Sequence, residues 1–441
     1  MSQAVKEKSI YADAFREFAA ARAGEPAWVE RLREGAFERF EELGFPTTDE
    51  EDWKYTNVAP IARKAFMPAA PDQVEVVGVE TFVSAEARRS RLVFVNGVYS
   101  PEHSAREAIP SKVLVEELGA ALTGEHGEVL WNHLGRLSGE GDDAFDALNT
   151  AFLGSGALIR VPAGVVVEAP VQLLFLTAPG ETESATFPRV LVVAERDSRL
   201  DLIETYAAVD DSEYFTDAVV EVFVGEGAGV THYKVQDEAG GAYHVASTRA
   251  EVSKDAVYDL TTVTLGARLS RHDIEVVLTS PGASCHVDGL YLVGDGQHTD
   301  THSLIDHREP NGASRQNYKG ILDGKSRAVF NGRVYVHAGA HGTDAQQSNK
   351  NLLLSTDARV DTKPQLEIYN DDVKCAHGAT VGQLEEEELF YLLSRGLHRD
   401  LARNLLTYGF AEEIVKKIKF DSIRAQLDEA ILNRLHARLE A

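Results

Sequence analysis

Ala328-Val329-Phe330-Asn331-Gly332, Thr343-Asp344-Ala345-Gln346-Gln347, Ala358-Arg359-Val360-Asp361-Thr362 and Val373-Lys374-Cys375-Ala376-His377 open four strand-like runs that begin 15 residues apart. A helical crossover between parallel strands takes at least ~10–12 residues, so repeats this short leave no room for βαβ units. They suit a β-solenoid, in which each coil buries its inward residues against its neighbours. Thr343-Asp344-Ala345 returns as Thr356-Asp357-Ala358, which reads as part of the same repeat. Asn331, Asn349 and Asn351 are placed to form ladders or to cap turns. An antiparallel β-sandwich is the alternative these patterns allow.

Upstream, the same texture reaches back to about Gly156. Val165-Val166-Val167, Val190 to Val193, Val219 to Val224 and Ile274 to Leu278 are β-forming runs between tight turns. The turns share a theme: an acidic residue or Gly, a small residue, then a β-former. It occurs at Gly227-Ala228-Gly229-Val230, Lys254-Asp255-Ala256-Val257, Gly282-Ala283-Ser284-Cys285 and Asp357-Ala358-Arg359-Val360. The early sites lie roughly 27 to 30 residues apart, the length of two coils.

The ends of the chain read as helical. Trp28, Leu32, Ala36 and Phe40 recur every four residues and would share one helix face, stopped by Gly44-Phe45-Pro46. Leu92 to Tyr99 reads as a hairpin turning at Asn96-Gly97, and Asp142 to Phe152 as helix. From Leu384 a helix runs to Leu393 and ends at Gly396. A second carries Leu397, Leu401, Leu405 and Tyr408 and ends at Gly409. Ile414, Val415 and Ile418 start a third, and a charged surface helix spans about Phe420 to Leu439. Three units follow: a mainly helical domain over 1–150, a β core over 151–382 and a helical domain over 383–441.

Composition narrows the function. The 441 residues include 44 Lys+Arg and 70 Asp+Glu, for a net charge of −26. Such a surface repels phosphate backbones and anionic lipid, so nucleic acid and membrane are poor partners. The first residues, Met-Ser-Gln-Ala-Val-Lys-Glu-Lys, contain no apolar h-region, and no apolar run approaches the ~20 residues of a membrane span. With only Cys285 and Cys375, the chain has no disulfide framework and reads as cytoplasmic.

Gly320-Ile321-Leu322-Asp323-Gly324-Lys325-Ser326 has three residues between its glycines where a phosphate-binding loop has four, and no helix start follows. It reads as a turn. His298, His302 and His307, beside Asp300 and Asp306, are either a metal site or solvated turn histidines; the second is the plainer reading. In Tyr369 to Thr380, a strand would put Val373, Cys375 and His377 on one face. Thiolate and imidazole both ligate iron. One thiolate cannot hold a four-cysteine cluster, so either another subunit completes the site or this is a buried Cys beside an ordinary His.

Several motifs together resemble the SufB/SufD family of iron–sulfur cluster assembly scaffold proteins. They are Asn317-Tyr318-Lys319-Gly320, Gly324 to Gly332, Thr343-Asp344-Ala345, Gln347-Ser348-Asn349, Asp361 to Tyr369, Glu388 to Gly396 and the N-terminal Trp53-Lys54-Tyr55-Thr56. Asp372-Val373-Lys374-Cys375-Ala376-His377-Gly378-Ala379-Thr380 is similar to the mark of the SufD branch. The resemblance implies a right-handed parallel β-helix flanked by N- and C-terminal helical domains. It implies a scaffold without catalysis of its own that pairs with a SufB-type subunit through the β-helix ends. It implies a SufC-type ABC ATPase docked on the C-terminal helices, for which Leu389, Tyr391, Leu393, Leu401 and Leu405 are the candidate face. It also implies that His377, with Cys375 as a less certain neighbour, lies at the SufB interface. There both are candidate metal ligands for a nascent iron–sulfur cluster shared with the partner, no cofactor being held stably by this chain alone. Two rival readings use the same β-helix: an enzyme acting on carbohydrate, for which Asp300 and Asp306 are the available carboxylates, and a structural homodimer paired end to end.

Overall fold

A computed structural model describes residues 2–64, 66–69, 76–137, 143–178, 183–294 and 296–440. Between Ser155 and Gly382 the chain winds as a parallel β-helix with two sheets. Successive strands alternate between them. The front sheet ends in Leu269–Leu278, His298–His307, Arg327–Val336 and Arg359–Ile368; the back sheet ends in Ser284–Val293, Ala313–Leu322, Thr343–Leu353 and Val373–Gly382. The sandwich alternative is excluded, because every one of these pairings is parallel.

Register partners within a sheet are 26 residues apart from Tyr243 to Leu269 and 32 apart from Arg327 to Arg359. One full turn therefore has about the length assigned above to two coils, and the 15-residue spacing is the step from one sheet to the other. The two Thr-Asp-Ala copies are not equivalent. Thr343 begins a back-sheet strand, whereas Asp357 lies in the turn entering a front-sheet strand.

The turn theme has a backbone cause. Gly164, Asp197, Gly227, Asp255, Gly282, Asn311 and Gly342 all have positive φ, between 52° and 74°. Each donates its N–H to a carbonyl one turn onward: Asp197 to Glu226, Gly227 to Lys254, Asp255 to Pro281, Gly282 to Pro310, Asn311 to His341 and Gly342 to Asp372, at 2.7–3.2 Å. Glycine and Asx alternate down this column. A Cβ at Gly282 would stand 2.2 Å from the Asp255 carboxylate, and one at Gly342 would stand 2.5 Å from the Asn311 side chain. Asn and Asp tolerate the left-handed conformation, but their side chains need the space above a glycine.

Inward side chains from both sheets fill the solenoid with Val, Leu, Ala and Tyr. Tyr318 lies across Gly289 and Tyr291 across Gly320, where an added Cβ would meet the rings at 2.1 Å. Towards the C-terminal end the filling turns polar: Gln316, Gln347, Asn349 and Asn351 are all buried.

The N-terminal helices Ser2–Ala20 and Ala27–Leu43 pack with Ala144–Ala151 outside the first front-sheet strands, through Phe145, Phe152, Phe187, Phe215 and Tyr243. In Ala27–Leu43 the buried face is Val29, Arg33, Phe37 and Phe40, one residue round from the expected stripe. The last helix of this group starts at Ala144, and Asp142 lies outside the described residues. Not all of this region is helical. Arg91–Val95 joins the back sheet, turning at Asn96-Gly97, and Leu114–Glu117 pairs antiparallel with the first front-sheet strand. The Trp53 to Thr56 motif fastens the segment to the front sheet: the Trp53 ring lies 3.8 Å from the Arg271 guanidinium, and Thr56 donates to Asp300 at 2.5 Å.

The C-terminal helices differ from the expected division. Arg399–Val415 continues through Gly409, so Ile414 and Val415 end this helix. A helical glycine costs only about 1 kcal/mol relative to alanine, and the turns beyond it bury Ala411, Ile414 and Val415. The last helix, Asp421–Glu440, is not a free surface element. Ile423, Leu427, Ile431 and Leu435 pack on the outer back sheet against a cluster that includes Tyr233, Leu265, Leu290 and Ile321. Arg434–Asp237 at 3.0 Å fastens its rim, and Lys417, in the turn before it, pairs with Asp288 at 2.7 Å.

Candidate functional site

The end of the solenoid is open. Arg359–Ile368 and Val373–Gly382 each have a neighbouring strand on one side only. Their outer edges therefore offer unpaired backbone groups, which can accept a strand from another chain. Most of Val373–Gly382 is exposed on both faces, because no further turn covers its inward side.

On this strand Cys375 stands in register with Ala345, and His377 with Gln347. Ala345 and Gln347 point into the solenoid and are buried, so Cys375 and His377 share that inward face. Cys375 is half-buried against the cluster of Val334, Val336, Ala340 and Ala345. Burial, and secondarily Asp344, pushes its thiol pKa up. At neutral pH it is a protonated thiol, and an iron ion would have to displace the proton. His377 is exposed. The two residues thus stand together at an open edge, as the strand alternation requires. Among the described residues there is no group of three or more His, Cys, Asp and Glu side chains placed to hold a metal ion. The ligands here are therefore two at most.

The other cysteine has a different environment. Cys285 lies within the apolar filling at 1% exposure, with its thiol pushed far up by burial.

The histidine group is not in a turn: His298 and His307 are the first and last residues of one front-sheet strand. Asp300 is held well below the usual carboxylate range. Burial raises it, but Arg271 at 2.8 Å, His302 at 3.1 Å and Thr56 together outweigh burial. An arginine in the middle of the group takes the place a cation would need. His307 faces inward and bonds Ser314 at 2.9 Å; burial lowers its pKa to about 4. Asp306 pairs with Arg308 and His337. Asp300 and Asp306 are six residues apart on one strand, hence about 20 Å. That is too far for the glycosidase separation of about 5–9.5 Å, and the pair cannot serve the carbohydrate reading. Gly324, with φ 55°, sits in a turn between strands, as read above for the Gly-Lys-Ser segment.

On the C-terminal helices the five candidate docking residues divide. Tyr391, Leu401 and Leu405 are 55%, 51% and 48% exposed. Leu393 is half-buried. Leu389 is 3% exposed and supports the helix from beneath, so it is no part of an outward face. Phe390, at 72% exposure, is more exposed than any of the five and is not among them. A bare aromatic next to a charged run was the available signal.

Residues 175–410 match the family described as SUF system FeS cluster assembly, SufBD core domain, and residues 5–173 match the SufBD protein N-terminal region. An iron–sulfur cluster assembly SufBD family protein of Synechocystis is 36% identical over 426 residues, covering 95% of this chain and 94% of that one. The iron–sulfur cluster assembly protein SufD of Escherichia coli is 32% identical over 400 residues, 89% of this chain and 90% of its own. SufD of Bacillus subtilis is 27% identical over 430 residues, 92% and 94%.

Proposed function

Because the chain belongs to the SufBD family of iron–sulfur cluster assembly proteins, we propose that it is a SufD-type scaffold subunit, without catalysis of its own, that pairs with a SufB-type subunit at the open solenoid end. The observation that carries this is the last strand, Val373–Gly382, whose unpaired edge leaves Cys375 and His377 side by side and accessible. A partner strand added there would continue the back sheet and bring its own ligands to the same face. His377 then offers a ring nitrogen, and Cys375 a sulfur, to a nascent cluster that is cargo of the complex. Tyr391, Leu401, Leu405 and Phe390 form the apolar surface offered to a SufC-type ATPase. The net charge of −26 disfavours nucleic acid and anionic lipid, and among the described residues no helix is long and apolar enough to cross a membrane. We place the complex in the cytoplasm.

The test is co-expression with SufB- and SufC-type partners and anaerobic spectroscopy. His377→Ala should abolish cluster formation while the three proteins still co-purify; full cluster formation in that variant would remove the assignment. Deleting residues after Gln383 should eliminate co-purification of the ATPase. Mixing the chain with the SufB-type subunit and measuring mass separates hetero-pairing from an end-to-end homodimer.

A further inference from the structure

The polar filling near the open end contains two hydrogen-bonded groups that differ in one respect. Asn349 donates to the Tyr291 hydroxyl at 3.3 Å and to the Tyr318 carbonyl at 3.4 Å, and its side-chain oxygen accepts from Asn351 at 2.6 Å and Thr362 at 2.8 Å. Tyr291 donates to Asn351 at 2.5 Å. This group is closed on itself. The second is a ladder of amides. Gln316 Nε2 donates to Ser303 Oγ at 2.8 Å, and Gln347 Nε2 donates to Gln316 Oε1 at 2.7 Å. Both amides therefore point their N–H groups back into the solenoid. Gln347 is 4% exposed, yet its Oε1 is buried and accepts no hydrogen bond. The residue one rung beyond it, in register and on the same face, is His377. Adjacent strands are about 4.8 Å apart, so a ring N–H of His377 is within reach of that oxygen once the side chain turns inward.

We infer that Gln347 is a positioning residue for His377: its unpaired Oε1 accepts one ring N–H, which fixes the tautomer and leaves the other ring nitrogen, unprotonated, facing out of the open end. The inference rests on the reading of His377 as a cluster-facing residue. In metal sites the ring nitrogen that binds is set by the bond the other makes, and such a partner also holds the ring plane. The amide ladder supplies that partner because its polarity is settled from inside. Ser303 accepts from Gln316 Nε2, and Gln316 Oε1 accepts from Gln347 Nε2, so the group left for the last rung is an acceptor. A histidine on an exposed strand would otherwise rotate freely and present either nitrogen.

The test uses the full chain with histidine rings labelled with nitrogen-15, at a pH well above the ordinary imidazole pKa of about 6.5. His377→Ala identifies the resonances. The wild type should show His377 predominantly as one tautomer. Gln347→Met, which keeps the volume and removes the acceptor, should return it to the mixture of a free imidazole. Gln347→Glu, which keeps an acceptor, should restore the single tautomer, with Gln316 turning its amide to donate. In the co-expressed complex, Gln347→Met should lower cluster yield about 10- to 100-fold. A tautomer mixture in the wild type, or a ring indifferent to Gln347→Met with an unchanged melting curve, overturns the inference. If instead the tautomer responds while His377→Ala still assembles clusters, Gln347 does orient the ring but the cluster-facing reading falls.

Discussion

Cys285 and Cys375 belong to one column of inward side chains, Tyr258–Cys285–Ser314–Ala345–Cys375, and lie three rungs apart. His232 and His377 share the neighbouring column, His232–Leu260–Val287–Gln316–Gln347–His377. Midway along the solenoid the residues of this kind are sealed. Cys285 is enclosed by apolar neighbours, and His232 is held between Glu204 at 2.7 Å and Tyr258 at 3.0 Å. At the end they are open. What separates a structural thiol and imidazole from a pair available for chemistry is whether another turn of chain covers them. A solenoid makes that difference by stopping.

The largest effect expected from this contrast is on stability. Removing His232 leaves the Glu204 carboxylate buried without its principal partner. His232→Ala should therefore cost about 3–5 kcal/mol in denaturant unfolding, whereas His377→Ala should stay within about 0.5 kcal/mol of wild type. Equal losses would mean that the last rung is as enclosed as the middle. A second pair compares glycines. Gly289→Ala drives a Cβ into the Tyr318 ring, and about 3 kcal/mol or more is expected. Gly378→Ala meets nothing within 4 Å and should be nearly neutral.

Acid should act on the sealed part of the solenoid through its buried titratable groups. His307 has its pKa lowered to about 4 by burial, so the folded chain resists a proton that the unfolded chain accepts below about 6.5. Its stabilising contribution is complete above that value and is lost as pH falls from about 6.5 to about 4, on the order of 3 kcal/mol. Glu204 adds a later loss. Burial raises its carboxyl, but His232, Lys234 and Tyr206 outweigh burial and hold it at about 2. That contribution disappears between about pH 4.5 and 2. Unfolding curves across this range should show both limbs, and His307→Gln should reduce the upper one, which it shares with His272, His244 and His298, all lowered by burial.

The smallest energetic effect belongs to the thiols. A small alkylating reagent should modify Cys375 in the folded chain, slowly, because burial raises its pKa, and the rate should still be climbing above the ordinary thiol value of about 8.5. Cys285 should react only on unfolding. Peptide mass mapping reads both, and reaction of Cys285 in the native chain would contradict the sealed interior.

Much of this was legible in the residues. The short repeats excluded helical crossovers, and the Asx-or-Gly theme marked a real column of left-handed turns. Cys375 and His377 were assigned to one face by alternation alone. Less legible was anything that depends on a neighbour distant in sequence. Gly409 was read as a stop because the packing that carries the helix past it comes from the back sheet. Leu389 was read as surface because its helix shows only a stripe, and a stripe does not say which side faces protein.

By itself the sequence determined the period, the turn chemistry and the parity of side chains along each strand, since these follow from backbone geometry within a few residues. The tertiary structure alone decided which of two like residues is sealed, that Asp300 and Asp306 stand too far apart to act together, and that Gln347 carries an unused acceptor beneath His377. Burial and hydrogen-bond closure are sums over strands 30 residues away, and no local pattern records them.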